Sequence, residues 1–438
     1  MVAATCTPSP HAKPASVALD CLFWAVLTFF VLQCLGFAWF GYFPNPYDEA
    51  AHFSFALHVL QTGDLLPAFA DLRLVDPEAV TGWTDRPNYL NHPSGYYALM
   101  AAAAAPFELP PADLIRLWRL LNVALAAAVV ALILRLGRDA GWSAPAQAAF
   151  AVLVALNPAL PVLGSIVSND NLAFLGGALT CLGAFRLLSG KRSAGVWMTA
   201  AAGVLLAGLA KLTAVLLCGL LLAGTLAWLI ASEGPAVLRS ASALLCLVIA
   251  ALGLAPYLLF LLHHGSAAPF TAGQAAILES RLAEIPAWRD SRLDFWPYVG
   301  HFARSLLVYW SPVTPIRPPQ VALLALPAIV LGVSVIAVLA ALRPAWRGIG
   351  DPTARFVVGG AAAMAVMAAV HLEFTFARHQ ETGWLRGVYP RYYFPLLAVL
   401  PAACAWLIER CGRPSRRWAL AGLLIAATAI YYLLHRRI

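Results

Sequence analysis

Charged side chains are scarce in this 438-residue chain: 29 Lys and Arg plus 21 Asp and Glu make up only 11% of it, against roughly 25% in an ordinary soluble domain. With 61% hydrophobic residues and a mean hydropathy of +0.76, a water-soluble fold is excluded and a polytopic membrane protein is expected. Each crossing needs roughly 20 residues, which leaves no room for a large soluble domain. A single transmembrane domain is expected over 1–438, with its chemistry on loops and span ends. Other absences narrow the function. No Walker loop, dinucleotide glycine motif, HExxH or GxSxG with partners occurs, so ATP hydrolysis, redox cofactors and serine or zinc hydrolysis have no support. The eight cysteines form no CxxC pair and fall almost wholly in or beside apolar runs, where they read as small buried residues. The net charge of +8 is carried by short basic clusters at span ends, as the positive-inside rule predicts, and nucleic acid is discarded as a partner. Neither a cofactor nor a metal is expected.

What is present is a series of apolar runs. An all-α bundle of about eleven spans is expected, at about 18–43, 113–136, 143–163, 171–189, 194–210, 212–231, 237–262, 320–342, 355–373, 394–409 and 417–434. The first of these is too long for a signal-peptide core and is read as a retained span. The stretch 93–107 is apolar but short, and it reads as a re-entrant or interfacial helix. If it does not cross, the clusters at Arg135 and Arg138, Lys191 and Arg192, Arg343 and Arg347, and Arg410 to Arg417 all fall on one side, a clean positive-inside pattern. Two long loops, 44–112 and 263–319, then face outward with nearly all the histidines. The second carries His263, His264, Glu279, Glu284, Arg289, Asp290, His301 and Arg304. No internal repeat of the transporter kind is evident.

Polar residues gather at five places. Directly after the first span comes Pro44-Asn45-Pro46-Tyr47-Asp48-Glu49-Ala50-Ala51-His52. Asn45 as N-cap and Pro46 at the first helical position predict a helix start that puts Asp48 near N3, with Asp48 and His52 on one face. The two carboxylates either complement the helix N-terminus or face a polar cavity at the membrane surface. The second place is Tyr89-Leu90-Asn91-His92-Pro93-Ser94-Gly95-Tyr96-Tyr97, readable as an aromatic belt or as part of a site. The third, Ser168-Asn169-Asp170-Asn171, could be caps alone. Lys211 interrupts an apolar run and must snorkel, pair or meet an anion. Arg391, in Tyr389-Pro390-Arg391-Tyr392-Tyr393-Phe394-Pro395, suits an interfacial anchor or a phosphate at headgroup level. His371, Glu373, Arg378, His379, Glu381 and Arg386 precede it in what reads as an outer loop, without an assigned role.

In their order and spacing these segments resemble the GT-C superfamily of integral-membrane glycosyltransferases, which includes protein O-mannosyltransferases and the lipid A aminoarabinose transferase. The resemblance is strongest to bacterial members with a Pro-x-Asp-Glu-x-x-His motif after the first span, here Pro46-Tyr47-Asp48-Glu49-Ala50-Ala51-His52. It extends to His92-Pro93-Ser94-Gly95-Tyr96-Tyr97, Ser168-Asn169-Asp170, Lys211 and Arg391-Tyr392-Tyr393-Phe394-Pro395. The resemblance implies inverting transfer of a sugar from a polyprenyl-phosphate carrier to a lipid, polysaccharide or protein acceptor. It would take place at the outer face of a bacterial inner membrane. On that reading Asp48 is the base with Glu49 beside it. Arg391, Lys211 and Arg304 hold the donor phosphate, and His52, His92, Tyr392 and Asp170 line the cleft. A lipid-linked sugar flippase or secondary transporter is the alternative; it would require polar groups near the bilayer midplane.

Overall fold

In the computed structural model the described residues are 13–78, 80, 82–284, 292–308, 321–346, 351–385 and 389–435. Arg289, Asp290, Arg347 and Arg386 lie outside them. Helices dominate. They are α1 (Lys13–Phe40), α2 (Glu49–Thr62), α3 (Gly95–Ala104), α4 (Pro111–Asp139), α5 (Ala144–Ala155), α6 (Ala159–Leu163), α7 (Asp170–Leu188), α8 (Ala194–Ala210) and α9 (Leu212–Glu233). There follow α10 (Ala241–Leu252), α11 (Ala255–His264), α12 (Ala272–Glu284), α13 (Phe295–Val308), α14 (Val321–Trp346), α15 (Pro352–Thr382), a 3-10 turn (Pro390–Leu396), α16 (Val399–Arg410) and α17 (Pro414–His435).

Among the described residues, eight helical segments are long and apolar enough to cross a bilayer, and a ninth if the pair Pro390–Leu396 and Val399–Arg410, bent by 60°, counts as one span. The protein is therefore an all-α integral membrane protein, with fewer full-length spans than the eleven expected. The shortfall has local causes. The run 143–163 is broken where Asn157-Pro158 ends α5 and starts α6, since proline cannot continue an i→i−4 ladder. Helix α8 covers only 17 residues. The run 394–409 is bent at its entry. The stretch 93–107 contributes the ten-residue α3, about 15 Å long and too short to span. The supposed loop 371–381 is the end of the 31-residue α15.

The segment 44–112, expected to face outward, is also not wholly helical, because Arg73–Val75 and Trp83–Pro87 pair as an antiparallel hairpin, β1 and β2. Ser54 on α2 accepts the Val75 N–H at 2.9 Å, which ties the hairpin to that helix.

Helix α7 is the hub of the bundle: 83% of its apolar window is buried, and it packs on α4, α8, α9, α15 and the Pro390–Leu396 turn. Two glycines permit this. A Cβ on Gly176 would come within 2.5 Å of the Ala207 nitrogen on α8, and one on Gly177 would collide with the Pro395 carbonyl. The turn carrying Arg391 therefore lies directly on α7, whose first residue is Asp170. Peripheral helices α10, α11 and α14 leave Leu245, Val248, Leu258, Leu262, Ile336 and Leu339 exposed, the outward apolar surface of a bundle solvated by lipid.

Candidate active site

The N-terminus of α2 forms differently from the expectation at Asn45. The Asn45 Oδ1 accepts the Tyr47 N–H at 3.2 Å, an Asx turn that postpones the helix. The helix starts at Glu49, and Asp48 occupies the N-cap position in the left-handed region, φ 65° and ψ 15°. Among non-glycine residues Asp and Asn tolerate this conformation best. Such strain, of order 1–3 kcal/mol, concentrates at functional sites. Here it rotates Asp48 away from its neighbour, so that two adjacent carboxylates reach different partners.

Glu49 turns inward and is fully buried. Arg119 on α4 holds it through Nε to Oε1 at 2.8 Å and Nη2 to Oε2 at 2.7 Å. The backbone N–H groups of Val167 and Asn45 donate to the same two oxygens at 3.1 and 2.8 Å. The remaining Arg119 donors go to the carbonyls of Gly41 and Tyr42, both at 2.8 Å, and of Ala38 at 3.3 Å. This satisfied knot joins the end of α1, the start of α2, α4 and the segment before α7. It corrects the expectation that Glu49 acts beside Asp48 in catalysis, because every lone pair suited to a proton already accepts a donor.

Asp48 faces a second, less complete network. Its Oδ2 accepts from Arg391 Nη2 at 2.6 Å and its Oδ1 from the Tyr89 hydroxyl at 3.0 Å. Arg391 also lies 3.7 Å through Nη1 from Asp170 Oδ2. Lys211 donates to Asp170 Oδ1 at 2.7 Å. Asp170 Oδ2 and the Nε and Nη1 of Arg391 are buried without a hydrogen-bond partner. Tyrosine rings surround the cations: Tyr47, Tyr389 and Tyr392 within 5.2–5.7 Å of Arg391, and Tyr392 4.5 Å from Lys211 Nζ, a cation–π arrangement. The Asp48 side chain retains 29% exposure whereas Asp170 retains 2%, so a substrate hydroxyl can reach the former. Burial pushes the Asp48 carboxyl up, but the charge and hydrogen bond of Arg391, with His52 and Tyr89, outweigh it and hold the group below the usual carboxylate range.

His52 is buried one turn along α2. Its Nδ1 shares a hydrogen bond with the Tyr97 hydroxyl at 2.9 Å, and its ring lies parallel to that of His92 at 5.9 Å. Burial pushes His52 down to about 4 and His92 well below the ordinary imidazole value. Burial thus favours the neutral imidazole in both, and the two rings stack beside the carboxylates.

Lys211 reaches this cluster because the helix breaks under it. The residue is extended, φ −160° and ψ 137°, between α8 and α9. The carbonyls at the end of α8 find side chains: Asn169 donates to Ala210 at 2.8 Å and Tyr257 to Gly208 at 2.9 Å. Asn171 is likewise structural, donating to Asn122 and to the Leu163 carbonyl at 2.8 Å each. Of the segment 168–171, only Asp170 faces the cations.

The structure thus brings Asp48, His52, His92, Asp170, Lys211, Arg391 and Tyr392 together from five chain segments. Arg304 does not join them: it is exposed on α13, on the same helix as His301, which corrects its expected role at a phosphate. Arg119, Tyr89, Tyr97 and Asn169 were missed as partners. Tyr89, Tyr97 and Asn169 lie in segments that the sequence marks as polar clusters, and Arg119 has its own signal, an ionisable residue inside an apolar span. Among the described residues no group of three or more His, Cys, Asp or Glu could hold a metal ion.

Beside the cluster is a cavity of about 490 Å³ between α5, α14, α15, α16 and α17, lined by apolar groups such as Leu156, Val338, Met364, Leu397 and Tyr431. Pro390 and Tyr393, which flank Arg391 in the turn, also line it.

No curated protein matches the chain by sequence. Among solved structures, ArnT from Cupriavidus metallidurans bound to undecaprenyl phosphate aligns at 15% identity and a TM-score of 0.49, over 93% of this chain and 62% of that one. The Archaeoglobus fulgidus oligosaccharyltransferase tethered to an acceptor peptide aligns at 14% identity and 0.49, over 94% of this chain and 54% of that one. This chain spans less than two thirds of either. The sequence profile described as a predicted membrane protein family, DUF2142, matches residues 78–400, a stretch that includes His92, Asp170, Lys211 and Arg391 and begins downstream of Asp48. With most of its length matched, the chain belongs to the DUF2142 family of membrane proteins.

Proposed function

We propose that this protein is an inverting glycosyltransferase that moves a hexosyl or pentosyl group from a polyprenyl-phosphate donor to an acceptor hydroxyl. The acceptor is a lipid, a polysaccharide or a protein at the outer face of a bacterial inner membrane. One observation carries the reading: Arg391, with two buried nitrogens that make no hydrogen bond, sits in the turn whose Pro390 and Tyr393 line an apolar cavity of the bundle. That arrangement suits a ligand with an anionic head and a long apolar tail.

The chemistry follows from the charges. Asp48 takes the proton of the acceptor hydroxyl as its oxygen attacks the anomeric carbon. The bond from that carbon to the phosphate oxygen breaks, and its electron pair leaves on the phosphate. A phosphodiester monoanion becomes a monoester dianion while Asp48 goes from anionic to neutral, so the net charge of the site is unchanged. Arg391 and Lys211 stabilise the charge that grows on the leaving group. A single displacement inverts the anomeric configuration. His52, His92 and Tyr392 line the sugar's side of the cleft.

The test is turnover by the purified full chain in nanodiscs with a panel of polyprenyl-phosphate sugars and candidate acceptors. Release of polyprenyl phosphate that depends on an acceptor is the expected result. Donor binding without release, across all acceptors, would replace this reading by a lipid-linked sugar flippase.

A further inference from the structure

Arg391 has a divided position. One nitrogen, Nη2, is held by Asp48 at 2.6 Å, while Nε and Nη1 are buried with no hydrogen-bond partner. A guanidinium cannot lose its proton in a protein, so its grip can only move between anions. Lys211 pairs with Asp170 at 2.7 Å and Arg391 Nη1 lies 3.7 Å from the same carboxylate, but of the two cations Arg391 is the one that also holds the base, so it is the one that Asp48 shares with any phosphate entering the cluster. Tyr89 fixes the other oxygen of Asp48 at 3.0 Å, and the left-handed backbone at residue 48 limits its swing. Movement of charge, rather than of the chain, is what changes the balance there.

We infer that Arg391 couples the base to the leaving group: the anionic Asp48 competes with phosphate for this guanidinium, and protonation of Asp48 during transfer releases it to the product. The inference rests on the lipid-phosphate reading given above. Its consequence is a timing device. In the resting site Asp48 weakens the hold on an anion, so a polyprenyl phosphate without its sugar binds loosely. At the moment the acceptor proton reaches Asp48, the leaving phosphate acquires its second charge and gains an Arg391 that Asp48 no longer holds as an anion. When Asp48 gives the proton to solvent, it reclaims Arg391 and the product is expelled. Proton release and lipid-phosphate release are thereby linked, as any two binding events that share one group must be.

The test is equilibrium binding of undecaprenyl phosphate to the full-length protein in nanodiscs, for wild type, Asp48→Asn, Arg391→Gln and the double variant. Asparagine imitates the protonated aspartate and accepts the same left-handed backbone, so the single variant keeps its fold. Asp48→Asn should bind the lipid phosphate tighter than wild type by at least roughly fivefold, the lower end of ordinary coupling between sites. In the Arg391→Gln background the same change should have less than roughly a third of that effect, because the shared cation is gone. Arg391→Lys, which keeps the charge on a smaller head, should restore part of the coupling and guards against a misfolded Gln variant. Equal tightening in both backgrounds would mean that Asp48 acts only through its general field, and unchanged or weaker binding by Asp48→Asn would remove the competition. Either result overturns the coupling alone. Absence of binding in every protein overturns the lipid-phosphate reading and the coupling with it.

Discussion

Two buried charge networks lie one residue apart in the sequence and differ in how completely they are satisfied. The knot around Glu49 and Arg119 gives every carboxylate oxygen two donors and spreads the guanidinium between Glu49 and the carbonyls at the end of α1. The cluster around Asp48 and Arg391 leaves two guanidinium nitrogens and one carboxylate oxygen without hydrogen bonds, Nη1 of Arg391 and Oδ2 of Asp170 facing each other at 3.7 Å. Buried polar groups are rarely left so. The difference teaches how to tell a structural ion pair from a working one: the first has no capacity left for a ligand, and the second holds its capacity in reserve.

Breaking the closed network should have the largest effect. Glu49→Ala strands Arg119 inside the bundle, and removing one partner of a buried pair typically costs about 3–5 kcal/mol. Thermal melting in detergent should show this variant largely unfolded or absent, whatever its activity.

Acid should separate the two networks next, through His52. Its imidazole is pushed down to about 4 in the folded protein, against about 6.5 in an unfolded chain. Between these values the unfolded state binds more protons, so the stability contributed by neutral His52 is full above about pH 6.5 and is lost as pH falls towards 4. The loss amounts to roughly 3 kcal/mol. Melting curves across this range should fall for wild type and flatten for His52→Gln.

A smaller effect is expected where the open cluster is merely positioned. Gly177→Ala should force the turn carrying Arg391 off α7, with a stability loss of about 1–3 kcal/mol and a disproportionate fall in turnover. Smallest is Asn169→Ala, which removes the donor to the Ala210 carbonyl at the break under Lys211. A loss of about 1 kcal/mol is expected by melting, together with weaker binding of lipid phosphate as Lys211 loses its fixed place.

Much of the frame was legible in the chain itself. Apolar runs located the membrane helices because the bilayer imposes length and composition locally. Lys211 stands out inside such a run for the same reason, and Asp170 and Arg391 stand at the entrances of two others. What the sequence did not reveal was pairing. Glu49 meets Arg119 seventy residues away and Asp48 meets Arg391 across 343, and no local pattern distinguishes two adjacent carboxylates that part company by a backbone twist at residue 48. Arg304 misled for a related reason. An arginine in an outer loop looks like a phosphate ligand until the packing of α13 points it outward. The break at Asn157-Pro158 was readable from the proline, and the hairpin at 73–87 was hidden by an irregular loop composition.

The most direct test is turnover and thermal melting measured on the same preparations of wild type, Asp48→Asn and Glu49→Gln. Asp48→Asn, which removes one charge of the pair with Arg391, should melt below wild type but above Glu49→Gln, while transfer falls roughly 10²- to 10⁴-fold, the usual contribution of a general base. Glu49→Gln should lose stability first. Wild-type turnover in Asp48→Asn would contradict the assignment of the base and, with it, the distinction between the two networks.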